Sequence, residues 1–541
     1  MKHNNYKQRF GAALEHGAAH QREHRLWSRR DFLSVASMLG AGSLLLGNTA
    51  VRTFQPTPLL AALAGAGGDN DRILVLIRLD GGNDGLNTVI KRGSPEYYNL
   101  RPSLGIPDNQ LWPLSTEYGM PLATNALQPL WAEGQMKVIF NVGYEPPNYS
   151  HFRSSDIIVS ASDPDAVDET GWIGRYLDNE YAAFLEAPPS IPPALQIGVQ
   201  TNLLFKADQA NMALVVSSPQ EFYQIAQTGQ LYETASLGNT NRDIELAYVR
   251  QTANAAFRYA ERIQEAYGAG KNQVTYPGAN DLSKPMEIIA RVIKGNLGTR
   301  IFLVDIADFD THVNQAANHL NLLNQVATAV RTFYDDLAAP GNGLENKVLT
   351  MTFSEFGRTI YENGSRGTDH GAGTHSLLFG GGIGSGFMGQ YQDLSNPDPV
   401  GDPPSSVDFR QVYASILQNW LGNPPELVQY VLGKYFAPLN GLVPAIAPPA
   451  GDNGKCVLLG HNPHPVIANA FEIKFAITQG SAVRLHLLDP AGHLLRTLVS
   501  AYRPEGSHTF LFQPAEWYLS PGIYLYRLQA SGQVFQREIQ I

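Results

Sequence analysis

Short apolar runs rich in β-branched residues recur along this chain, and most give way abruptly to polar residues. They read RILVLIRL (72–79), MKVIFNVG (136–143), ALQIGVQ (194–200), MALVVS (212–217), RIFLVDI (300–306), KVLTMTF (347–353) and SLLFGGGI (376–383). Length and composition mark them as buried strands. Between several of them, ELAYVRQTANAAFRYAERIQEAYG (245–268) and ANHLNLLNQVATAVRTFYDDLAA (317–339) repeat apolar residues at three- and four-residue spacing, as amphipathic helices do. The alternation predicts an α/β fold, a mostly parallel sheet with helices on both faces.

The polar residues just beyond the strands predict a site. The first strand runs into Asp80 and Asp84, the second leads toward Ser150 and His151, RIFLVDI toward Asp308, Asp310 and His312, and KVLTMTF into Ser354, Glu355 and Arg358. Ligands of open α/β sheets bind beyond the carboxyl ends of the strands, so these residues are expected in one cleft. The stretch GTDHGAGTH (367–375) adds Asp369, His370 and His375 among glycines that contribute little packing. Carboxylate and imidazole suit zinc, manganese or iron where thiolates are absent, and the chain has a single cysteine, Cys456. Asp369 and His370 can grip one divalent ion from a glycine-permitted tight loop. Asp310, His312 and His375 can serve a second, with Asp84 completing the set. Paired ions clamp the attacking and leaving oxygens of a phosphoryl-type transfer. Singly, each residue reads equally as a loop polar that caps a helix or bonds the backbone.

Two further residues are candidates for catalysis. Arg358 is a natural anion clamp, with a local salt bridge to Glu355 as the alternative. Ser150 is either a metal-activated nucleophile or the cap of the following helix. GGNDG (81–85) lacks the G-x-G-x-x-G pattern and a Walker lysine, which argues against a nucleotide site. A net charge of −10 argues against a nucleic-acid partner.

Both ends differ from the middle. SRRDFL followed by SVASMLGAGSLLLG resembles a twin-arginine export signal, with Ala62-Leu63-Ala64 as a cleavage pattern. The apolar run is too short for a comfortable membrane span, so no stable transmembrane span is expected in the mature form. PLNGLVPAIAPPAGDNG is linker-like, and beyond it FEIKFAI (471–477), AVRLHLLD (482–489), LLRTLVS (494–500), SHTFLFQP (507–514), GIYLYRLQA (522–530) and QVFQREIQI (533–541) are closely spaced strands of a small β-sandwich. The expected organisation is a leader over 1–64, an α/β domain over 65–440, a linker over 441–457 and a sandwich over 458–541.

Six motifs in order, LIRLDGGNDGLNTVI, YYNLRPSLGIP, SHFRSSDI, DFDTHVNQ, SEFGRT and NGSRGTDHGAGTHSLLFGGGI, resemble the domain of unknown function 1501 family, which is similar to the alkaline phosphatase and sulfatase superfamily. The resemblance implies that superfamily's α/β fold and two metals, with Asp84, Asp369 and His370 at one position and Asp310, His312 and His375 at the other. Asp308 and His312 fit the superfamily's wider spacing, leaving Asp308 and Asp310 as alternatives. The Cys/Ser-x-Pro-x-Arg motif of formylglycine sulfatases is absent, and no evident nucleophile follows the first metal-binding Asp. The tail resembles the immunoglobulin-like sorting domain of type IX secretion substrates.

The expected protein is an exported, metal-dependent hydrolase of a phosphate or sulfate ester, on a polysaccharide or lipid, holding one or two divalent ions such as zinc. Its expected partners are the twin-arginine translocase and the type IX secretion machinery. The alternative is a surface protein that keeps the fold for binding or assembly without catalysis.

Overall fold

A computed structural model describes residues 51–52, 71–181, 184, 189–208, 210–228, 257, 259–341, 343–395, 402, 404–423, 425–444, 456–463, 470–477, 481–489, 494–503, 506–514, 519, 522–530 and 533–541. The leader apart from residues 51–52 and most of the linker therefore lie outside the described residues, as does the first half of the helix expected over 245–268. One compact unit holds Asn70–Leu421 and Val428–Ala445; a second holds Gly422–Leu427 and Ile446–Ile541.

The first unit is built on a sheet whose strands are β1 (Ile73–Leu79), β2 (Met136–Gly143), β3 (Ala194–Ile197), β4 (Ala213–Val216), β5 (Ile301–Ile306), β6 (Val348–Phe353), β7 (Thr374–Phe379) and β8 (Gly386–Met388), in the order β8-β2-β7-β6-β1-β5-β3-β4. The short strand β9 (Val407–Asp408) pairs with β2. Strand β1 is parallel to both β5 and β6. Of these strands only β7 runs the other way, antiparallel to β6 and to β2. Hence β1, β2, β5 and β6 end at the same edge of the sheet, where β7 begins.

The strand runs are apolar on both faces because both faces are covered. Val75, Ile77 and Leu79 of β1 join a core with helices α1 (Ser283–Lys294) and α2 (Gln315–Ala338). On the other face Leu74 and Leu76 are also fully buried, and Met351 and Phe353 line a small cavity with Val412 and Tyr413 of the helix Phe409–Ser415. Helix α2 has no Pro or Gly in 24 residues and no side-chain cap at its start. Instead, the backbone N–H groups of Asn314 and Gln315 donate to the carbonyls of Ser365 (3.1 Å) and Arg366 (2.9 Å). Helix starts leave such donors unsatisfied, so this pairing docks the 363–370 loop on the end of α2. Among the described residues no helix is long and apolar enough to cross a membrane.

The second unit is antiparallel. Cys456–Pro463, Phe471–Ile477 and Gly506–Phe512 form one sheet; Leu494–Arg503, Ser481–Leu488, Ile523–Ala530 and Gln533–Gln540 form another. Their inward residues, Ile473, Phe475 and Ile477 against Leu485, Leu487 and Leu528, share one core. The strand from Cys456 begins inside the stretch expected to be linker. It pairs with Phe471–Ile477.

Candidate metal centre

The loops at the shared sheet edge touch because glycine lets them. Gly81, just beyond β1, has φ +124°, and a Cβ there would stand 2.3 Å from the backbone N of Asp310. Gly367 likewise lies against the carbonyl of His312, where a Cβ would come within 2.2 Å. A two-residue ladder, Gly357–Arg358 with His370–Gly371, sets Arg358 opposite His370.

Three imidazoles meet at one carboxylate oxygen. From Oδ1 of Asp310 the Nε2 atoms of His312, His370 and His151 are 3.0, 3.3 and 3.5 Å away. His312 and His370 are 2.9 Å apart, Nε2 to Nε2. The opposite nitrogen of each ring is tied down. Nδ1 of His370 donates to the Tyr149 carbonyl (2.7 Å), Nδ1 of His151 pairs with Glu355 Oε1 (2.8 Å), and Nδ1 of His312 pairs with Asp369 Oδ1 (3.2 Å). Carbonyl and carboxylate oxygens only accept, so Nδ1 carries the proton and Nε2 presents its lone pair in the neutral ring. Histidines that hold metals are oriented in this way. Nitrogen donors about 2.0–2.1 Å from one ion stand about 3 Å from each other, the spacing of His312 and His370. Ligand atoms of His151, Asp310 and His370 lie within 4.8 Å of one another, so these three fit one divalent cation, with His312 beside Asp310 and His370 as a further donor.

The supports behind these ligands are fixed in turn. Glu355 also accepts from the backbone N–H of Gly81 (2.9 Å), and Asp369 accepts from Asn363 Nδ2 (3.1 Å). Arg358 is wholly buried and gives Nη2 to Asp310 Oδ1 (2.8 Å).

The charge state follows the same geometry. Burial opposes ionisation of Asp310, but the three surrounding histidines and the charge of Arg358 hold its pKa well below the usual carboxylate range. Burial also disfavours charge on His151, yet its bonds to Asp310 and Glu355 raise it to about 9. His312 is raised as well, against burial, by Asp310 and Asp369. Burial drives His370 down to about 4, opposed by Asp310 and reinforced by Arg358 and the neighbouring histidines. The facing pair His312 and His370 thus shifts in opposite directions: Asp310 and Asp369 favour charge on His312, whereas burial and neighbouring cations disfavour it on His370. A divalent cation would compete with protons for these rings.

The structure divides the expected ligand set. Asp310, His312, Asp369 and His370 come together, with Asp369 behind His312 rather than beside it. Asp308 is exposed, with φ +73°, and Asp310 is the carboxylate that the imidazoles surround. Asp84 and His375 do not join them. Asp84 is buried in an ion pair with Arg101 (2.5 Å), and its other partners are Gln315 and the backbone N–H of Asn87. His375 accepts from the backbone N–H of Asn141 at Nδ1 (3.1 Å), so in its neutral form the proton sits on Nε2 and neither nitrogen offers a lone pair. Arg358 is not an open anion clamp. Its donors go to the carbonyls of Gly81, Gly82, Phe309 and Thr368 and to Asp310. Ser150 caps the helix His151–Ser160 by position, without a side-chain cap bond.

Reasoning from sequence misses two participants. His151 is visible there as the residue that opens a helix after β2, but a neighbouring hydroxyl, Ser150, is the more obvious catalytic candidate. Glu355 has Arg358 as its natural partner three residues away, whereas across the site it pairs with His151, 204 positions away.

Residues 147–440 match a family described as protein of unknown function, DUF1501. That is more than half of the sequence. The chain belongs to the DUF1501 family. The matched stretch contains His151, Asp310, His312 and His370 of this DUF1501 protein and begins after Asp84 and Arg101. No curated protein matches the chain. Among solved structures it is similar to the PsFucS1 sulfatase from Pseudoalteromonas sp., at 13% identity, covering 85% of this chain and 89% of that one, with a TM-score of 0.28. An alkaline phosphatase from the Antarctic bacterium TAB5 is 11% identical, covering 59% and 94%, with a TM-score of 0.26. A protein in the alkaline phosphatase superfamily from Vibrio parahaemolyticus is 9% identical, covering 83% and 91%, with a TM-score of 0.26.

Proposed function

We propose that this protein is an exported hydrolase of a phosphate or sulfate ester that works with one divalent ion. The observation that carries the reading is the convergence of three Nε2 atoms on Asp310 Oδ1 with every Nδ1 fixed from behind. An ion held there would supply Lewis acidity toward an ester oxygen or water. The chain's own residues do the positioning. Glu355, Asp369 and the Tyr149 carbonyl set the three ring orientations, and Arg358 holds Asp310 ionised and in place. Asp310 is the most open of the ligands, with 35% of its side chain exposed, so the approach for an ester is on its side. Ser150, at the helix start next to His151, is the proposed nucleophile.

Export rests on the SRRDFL leader, read as a substrate of the twin-arginine translocase, and surface delivery rests on the type IX-like tail; a polysaccharide or lipid ester is the matching substrate. Replacing Arg29 and Arg30 with Lys tests the first: retained precursor supports it and unchanged export refutes it.

The engagement of Arg358 favours a second reading, a metal-holding protein without hydrolysis. That side chain, expected to steady an anion, spends its donors inside the protein. Metal analysis of the purified protein, followed by a screen of phosphate and sulfate esters with the metal-loaded form, separates the two. Turnover that disappears in His370→Ala supports the hydrolase; metal uptake without turnover of any ester supports the second reading; no uptake refutes both.

A further inference from the structure

Two segments that supply the cation site, the 310–312 turn and residues 368–370, are joined from beneath by one buried amide. Gln315 is fully buried at the start of α2. Its Oε1 accepts from the hydroxyls of Thr311 (3.0 Å) and Thr368 (2.6 Å). Thr311 directly precedes His312, and Thr368 directly precedes Asp369. Both threonines are themselves buried, at 4% and 0% exposure, so their hydroxyls turn inward while the next side chains, His312 and Asp369, meet each other on the site's side.

The other end of the amide is anchored just as firmly. Gln315 Nε2 donates to Asp84 Oδ2, the oxygen that also takes Arg101 Nη1. Arg101 in turn donates to Asn87 Oδ1 (2.8 Å) and to the carbonyls of Thr359 (2.8 Å) and Ile360 (3.0 Å). This fixes which way the amide points. The carboxylate of Asp84 only accepts, so it must face the NH2 group, which leaves the carbonyl oxygen for the two threonines. A buried pair with every partner satisfied is rigid, and breaking one bond leaves a stranded polar group.

We infer that Gln315, oriented by the Asp84–Arg101 ion pair, is a positioning residue that sets the separation of His312 and Asp369 and so tunes affinity for the ion. The inference rests on the cation reading of the site. Asp84 and Arg101 then act on the site from beneath rather than within it, through two threonine hydroxyls. Groups that stand behind metal ligands and orient them typically change affinity about 10–100-fold when removed.

The test uses isosteric pairs of the full-length protein and zinc or manganese as the probe, with dissociation constants from calorimetry. Thr368→Val and Thr311→Val remove the hydroxyl at constant shape; Thr368→Ser and Thr311→Ser keep it. The Val variants are expected to weaken ion binding about 10-fold or more, and the Ser variants to bind within about threefold of the parent. Melting temperatures in chelator report any loss of fold separately, and a Val variant that does not fold is replaced by its counterpart at the other threonine. Val and Ser variants that bind the ion equally well overturn the inference while leaving the cation site standing. A parent protein that binds neither ion overturns the cation site and this inference with it.

Discussion

Nε2 of His312 lies 2.9 Å from Nε2 of His370, and each ring is held in that pose by an acceptor at its Nδ1. Two imidazole lone pairs at that distance repel unless a proton or a cation lies between them. His312→Ala and His370→Ala should therefore each cut the metal content of the purified protein, by more than the roughly 10–100-fold in affinity expected for a group behind the ligands. Elemental analysis after dialysis checks this. Added metal should raise the melting temperature of the parent and leave the variants nearly unmoved. Equal stabilisation of parent and His370→Ala would remove His370 from the site.

Glu355 offers a sharper contrast. Glu355→Gln keeps an oxygen that can accept from Gly81 N–H and from His151 Nδ1–H, whereas Glu355→Ala leaves His151 without its orienting partner. Alanine should weaken ion binding about 10–100-fold and glutamine distinctly less, measured by competition with a chromogenic chelator. Identical losses in the two variants would show that charge alone matters.

The buried pair of Asp84 and Arg101, both essentially without exposure, should dominate a stability measurement. Arg101→Met strands an ionised carboxylate in the interior, and breaking such pairs costs about 3–5 kcal/mol. Urea titration in chelator reads this without interference from ion binding. A loss under about 1 kcal/mol, the range of exposed pairs, would mean that Asp84 is solvated or neutral.

Two buried histidines should contribute a loss of stability in mild acid. Burial depresses both His319 and His375 to about 4, from an ordinary 6.5, with the charge of Asp84 opposing and that of Arg101 adding to the effect. At these two positions the unfolded chain then binds more protons than the folded one between those values, whereas Asp156 and Asp178, raised to about 6 by burial, act in the opposite direction. The contribution of the two histidines is fully present above about pH 6.5 and falls as pH drops toward 4, with a slope of at most about 1.4 kcal/mol per pH unit for each. Denaturant midpoints measured across this window in chelator, for the parent and for His319→Gln, test the sign. Equal slopes in the parent and in His319→Gln would place His319 in contact with solvent.

Much of the scaffold is legible in the sequence because it depends on local pattern. The run MKVIFNVG coincides with strand β2, and the helix read over 317–339 forms as Gln315–Ala338, since side-chain periodicity alone decides which faces a segment can bury. The gathering of polar residues beyond β1, β2, β5 and β6 is equally readable, because parallel strands must end at the same edge. Partner choice is not. Asp84 carries the same carboxylate as Asp310, yet a guanidinium 17 positions away claims it; His375 has the same ring as His370, yet a backbone N–H on a neighbouring strand takes its Nδ1. His151 is aimed at the cation position by Glu355, far away in sequence. The sequence by itself determined which residue types reach the sheet edge and on which loops they ride. Only the tertiary structure decided which of them gather around Asp310 and which are spent elsewhere, because that depends on distances of about 3 Å between groups whose neighbours lie on other strands.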